Sequence, residues 1–119
     1  MRHYDLGLWD GRPAIAFLPD SAQVVLQDLE EPERTRRWRL PPRTLVCDLR
    51  LLGPAQDPAV LVATHEQSLL RYETGPDHPV HTARLGTEVL SLAPVSDELV
   101  GVATATGLLC LRLAHGVDH

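Results

Sequence analysis

Shifted by about 45 residues, the sequence falls onto itself without a gap. Pro13-Ala14-Ile15 meets Pro58-Ala59-Val60, Phe17 meets Val62, Val24-Val25 meets Leu69-Leu70, and Arg39-Leu40 meets Arg84-Leu85. A shift of about 40 residues then sets Val60, Val62, Ala63 and Thr64 on Val100, Val102, Ala103 and Thr104. One further deletion aligns Leu69-Leu70 with Leu108-Leu109. Single matches between apolar segments arise by chance; a common offset is harder to produce. Such a period constrains the fold more than composition does. Each unit must be one supersecondary structure that buries its apolar face on a neighbour.

The units are expected to be built of strands. Ten Pro and eight Gly, scattered over 119 residues, leave few windows for a long helix. The apolar segments are short, and many alternate at period two. Leu45, Cys47, Leu49 and Leu51 form one apolar face, which puts Asp48 and Arg50 on the other. Arg112 falls out of phase with Leu109, Leu111 and Leu113. Ala59–Thr64 and Leu99–Thr104 are nearly apolar throughout and predict strands buried on both faces. The first unit reads as strands Tyr4–Trp9, Ala14–Leu18, Gln23–Leu29 and Thr35–Leu40, although the Arg and Trp of the last suit a helix equally. The second reads as Thr44–Leu52, Ala59–Thr64, Ser68–Glu73 and His81–Leu85, and the third as Val89–Val95, Leu99–Thr104 and Gly107–Leu113.

Four strands in about 40–45 residues is the pattern of a β-propeller blade. Val24-Val25-Leu26-Gln27-Asp28-Leu29 resembles the third strand of a WD40 repeat, with Gln27-Asp28 where a Trp-Asp pair stands. Leu69-Leu70-Arg71-Tyr72-Glu73-Thr74-Gly75 resembles the same strand running into its polar turn. Most of the chain thus resembles degenerate WD40-like repeats. No Gly-His pair precedes the units, and the literal Trp9-Asp10 lies in a first strand. The expected fold is all-β, a single domain of about 2.75 propeller-like blades of four antiparallel strands. Blade 1 covers about 1–42, blade 2 about 43–86 and an incomplete blade 3 about 87–113, with a polar tail at 114–119. The alternative is a small β-barrel or sandwich of about ten strands, which needs no fixed repeat.

Propellers close with about 4 to 8 blades. Three units would leave apolar flanks and an unpaired assembly edge at Leu108, Leu109, Leu111 and Leu113. Completion by a second copy is expected, as a homodimer with a strand exchanged, or by another chain supplying further blades. A monomer that covers its flanks with loops is the remaining possibility. The resemblance implies a non-catalytic protein–protein interaction or scaffold module, with a possible link to bacterial signalling or defence. The alternative is a ligand-binding or enzymatic propeller whose site forms only after assembly. Such a site needs titratable groups along the first strands, where the chain offers mainly Asp5, Asp48 and Arg50.

The formal net charge of −5 argues against a general nucleic-acid or anionic-membrane binder. No run approaches the ~20 apolar residues of a membrane span, and no signal-peptide pattern follows Met1-Arg2-His3. A cytoplasmic location follows as an expectation, with Cys47 and Cys110 as buried thiols.

No nucleophile signature or phosphate loop stands out, and neither catalysis nor a cofactor is expected. His78 and His81, with Asp77, form the only close histidine pair, set in a turn where solvation explains them as well as a metal does. Glu30 to Arg39 is the most charged stretch: three Glu, then four Arg and a Trp. As a partner-binding site, Arg34, Arg36, Arg37, Trp38 and Arg39 could grip an acidic peptide or a phosphate. As structure, they form an outer strand whose Trp38 and Leu40 face the next blade while the arginines pair with nearby acids. Residues 1–43 hold seven Arg and seven acids, which favours structure.

Overall fold

Eleven strands form three antiparallel sheets in the computed structural model, which describes residues 3–112. Leu113, His115, His119 and the rest of the expected tail lie outside the described residues. Sheet 1 runs β1 (Tyr4–Trp9), β2 (Arg12–Phe17), β3 (Gln23–Asp28) and β4 (Thr35–Arg39). Sheet 2 runs β5 (Val46–Leu52), β6 (Ala59–Thr64), β7 (Ser68–Tyr72) and β8 (His81–Arg84). Sheet 3 holds β9 (Val89–Pro94), β10 (Leu99–Thr104) and β11 (Gly107–Arg112). Strands pair in chain order within each sheet, so every connection inside a sheet is a hairpin. Among the described residues there is no helix, and so none long and apolar enough to cross a membrane.

The hairpins follow local chemistry. β1 and β2 meet at a two-residue turn, Asp10-Gly11, with φ of 57° and 75°. Right-handed strand twist favours a turn with both φ positive, and Asp-Gly tolerates it best. The turn also donates to the next sheet: Asp10 N–H reaches Gln56 O at 3.2 Å and Gly11 N–H reaches Ala55 O at 3.1 Å.

Two apolar layers alternate with the sheets. Between sheets 1 and 2 lie Ala14, Ala16, Val24, Leu26, Trp38 and Leu40 from one side and Leu49, Val60, Val62, Leu70 and Tyr72 from the other. Between sheets 2 and 3 lie Cys47, Leu52, Leu61, Ala63 and Leu69 against Val89, Leu92, Val100 and Val102. Period-two alternation makes this possible: Val60 and Val62 face one way, Leu61 and Ala63 the other. All six residues of β6 are therefore buried. β1 approaches β5 closely at Gly7, where a Cβ would sit 2.8 Å from Leu51 Cδ1.

Three expectations need correction. β10 is buried at every second residue only, because among the described residues no layer covers the far face of sheet 3. Cys110, on that far face, is exposed, whereas Cys47 is buried. Cys47 does not share a face with Leu49 and Leu51: an irregularity in the β5–β6 register turns it toward sheet 3, while Leu49 and Leu51 pack toward sheet 1. Asp48 lies opposite Leu49 as expected, and it is buried, at 3% exposed.

Candidate functional site

The charged strand β4 separates into two sets of residues. Trp38 is 2% exposed and packs on Tyr72, with ring centroids 5.8 Å apart. Its Nε1–H donates to Glu73 O at 3.0 Å and Pro76 O at 3.1 Å. Arg36 donates to Thr74 O and Pro76 O, both at 2.8 Å, and meets Asp77 Oδ1 at 2.8 Å. Two side chains of sheet 1 thus hold the β7–β8 connection of sheet 2. Arg34 lies over the Trp9 ring at 4.1 Å and pairs with Asp10 at 3.3 Å and Asp28 at 3.5 Å.

Asp28 organises the β3–β4 turn. Its Oδ1 accepts Glu30 N–H at 2.8 Å and Glu31 N–H at 3.0 Å, the geometry by which Asp ends a strand in a turn. The Glu31 and Glu30 N–H groups, aided by Arg12 and Arg34, hold its carboxyl below the usual range against the opposing effect of desolvation. The Asp of the Gln27-Asp28 pair is therefore wholly buried and tied to its own turn.

Arg37 and Arg39 remain. They alternate with Trp38 and lie on the face of sheet 1 turned away from sheet 2. Beside them runs a groove of about 840 Å³ lined also by Ser21, Gln23, Leu40, Pro41, Pro42, Arg43 and Leu45. Arg43, at φ 59° in the segment joining the first two sheets, was not among the expected site residues. Its signal was an arginine after Pro-Pro with no acid near it in sequence. Among the described residues no carboxylate lines the groove. The side chains of Arg37, Arg39, Arg43 and Arg84 enter no ion pair or side-chain hydrogen bond among the described residues.

The first strands carry joints where a catalytic centre was considered. Asp5 Oδ2 accepts Leu51 N–H at 2.9 Å, and Asp48 Oδ2 accepts Leu92 N–H at 2.7 Å. Arg50 Nε stands 4.0 Å from Asp48 Oδ2. Burial, with Asp48 alongside, pushes the Cys47 thiol up, so it stays protonated and unreactive. Among the described residues no group of three or more His, Cys, Asp or Glu could hold a metal. His78 Nδ1 meets Pro79 O, and Asp77 is taken by Arg36.

The two ends of the stack complete the surface. Tyr4, Leu6 and Leu8 on β1 are 56%, 60% and 47% exposed. On the far face of sheet 3, Ser91, Ala93, Gly101, Leu108 and Cys110 border a hollow of about 350 Å³, and Leu108 is 83% exposed. Of the expected assembly edge, Leu109 is 40% exposed and Leu111 packs against the inner layer. No family model matches the chain, and no curated protein matches it.

Proposed function

We propose that the chain is a non-catalytic interaction module, a partial β-propeller of degenerate WD40-like blades that is completed by association. The observation that carries this is the equivalence of buried and exposed positions. Val60 and Val62 are wholly buried between sheets 1 and 2. Their counterparts in sheet 1, Ile15 and Phe17, stand half-buried on its outer face beside exposed Leu6 and Leu8. Leu61 and Ala63 are buried against sheet 3. Their counterparts Gly101 and Ala103 lie on the outer face of sheet 3 beside Leu108.

One end of the stack therefore carries the kind of face that covers the other end. Bulky Tyr4, Leu6 and Leu8 stand opposite in character to the small Ser91, Ala93 and Gly101. Contiguous apolar faces of this kind mark association sites. A second copy is the simplest source of the missing contact, and closure by rotation favours a small ring over an open array. The module acts as a scaffold, in the cytosol on the expectation from sequence.

Light scattering at micromolar concentration tests this. A mass of at least twice 13.1 kDa, falling to 13.1 kDa for Leu108→Glu or Leu6→Glu, is expected. A native chain at 13.1 kDa overturns self-association.

A further inference from the structure

We propose that the groove beside β4 binds an extended acidic peptide, with Arg37, Arg39 and Arg43 as its carboxylate contacts. This groove shares the outer face of sheet 1 with Leu6 but lies along its opposite edge, at β4 rather than β1, and peptide binding by the Leu6→Glu variant distinguishes it from the assembly contact.

Charge complementarity carries the proposal. The chain has a net charge of −5, yet among the described residues this groove has no carboxylate in its lining. Six described arginines, Arg12, Arg34, Arg36, Arg50, Arg71 and Arg112, are paired with acids of their own chain. Three of the four that are not so paired gather here. The acids that border it are engaged: Asp20 of the adjoining hollow by Ala22 N–H at 2.7 Å and the Gln23 side chain at 3.2 Å, and Glu66 by Leu45 N–H at 3.3 Å. Unpaired guanidiniums in a concave site take carboxylate or phosphate in two-point contacts.

Geometry and apolar lining favour a peptide. Arg37 and Arg39 sit two apart on one strand face, about 7 Å from each other. Alternate residues of an extended peptide repeat at that same distance, so acidic side chains at every second position meet both. Leu45, 62% exposed, with Pro41 and Pro42, offers apolar contact to the residues between. Single-stranded nucleic acid needs open aromatic faces for its bases, and the only aromatic side chain in this lining, Trp38, is buried.

The test is fluorescence anisotropy with a labelled peptide alternating Glu and Val, against the same peptide with Gln in place of Glu. Expected is binding to the Glu peptide that weakens steeply between low salt and about 0.3 M salt. Arg37→Ser/Arg39→Ser/Arg43→Ser should weaken it at least about tenfold, and Arg84→Ser should leave it unchanged. Equal loss with Arg84→Ser, equal binding of the Gln peptide, tighter binding of a single-stranded oligonucleotide, or no binding at low salt overturns the proposal. The peptide pair keeps the test decisive even where the triple variant fails to fold.

Discussion

The carboxylate of Asp48 joins two sheets by accepting the backbone N–H of Leu92 at 2.7 Å, while its other oxygen accepts Leu49 N–H at 3.0 Å. Both bonds are buried. Asp48→Ala strands two N–H donors out of water and should destabilise the fold by about 3 kcal/mol. Asp48→Asn keeps an acceptor and should cost about half of that. Urea unfolding of the three proteins gives the ranking, and amide exchange at Leu92 should quicken first.

Arg36 and Arg37 are neighbours with opposite duties. Arg36 holds four groups of the β7–β8 connection, so Arg36→Ala should cost about 2 kcal/mol. Arg37→Ala should stay within about 0.5 kcal/mol of the native chain. Equal melting temperatures for the two variants would contradict the division of β4 described above.

Asp28 titrates below its ordinary value in the folded chain. A lowered folded pKa means that its stabilisation is full above the unfolded value of about 4 and drains away as pH falls toward the folded value. The melting temperature of Asp28→Asn should therefore lie below that of the native chain at pH 7, and the gap should narrow below about pH 4. A gap that is constant from neutral to strongly acid pH would count against this.

Tyr72 carries a buried hydroxyl with no hydrogen-bond partner among the described residues, and burial pushes its pKa up to about 12. An unsatisfied buried hydroxyl costs free energy. Tyr72→Phe keeps the ring against Trp38 and should be neutral or stabilising by up to about 1 kcal/mol. A loss above that size would reveal a partner for the hydroxyl.

The strands and their grouping were legible in the sequence because period-two alternation and the common offset report on burial directly. β6 shows this best: six apolar or small residues, all buried. β10 looks alike in sequence, yet half of it is uncovered, since a strand's second face depends on whether another layer exists. Cys47 was misplaced because a single register irregularity reverses which way a side chain points. The arginines of β4 were legible as a group but not individually. Sequence shows seven Arg beside seven acids in residues 1–43, and only the fold decides which of them meet. Arg43 joins Arg37 and Arg39 through the path of a connecting segment, which carries no periodic signal.

The two carboxylate joints differ in register, and that difference fixes the order of the sheets. Asp5 reaches Leu51, which stands opposite Val60. The repeat carries Val60 onto Val100, and opposite Val100 stands Pro94, which has no N–H to give. Sheet 3 is instead joined at Leu92, opposite Val102. A shortened chain with sheet 1 fused directly to sheet 3 would turn the carboxylate of Asp5 toward a residue that cannot answer it. The apolar layers would accept such a splice, whereas the joints would reject it. Units that look interchangeable in sequence are keyed, each to one neighbour.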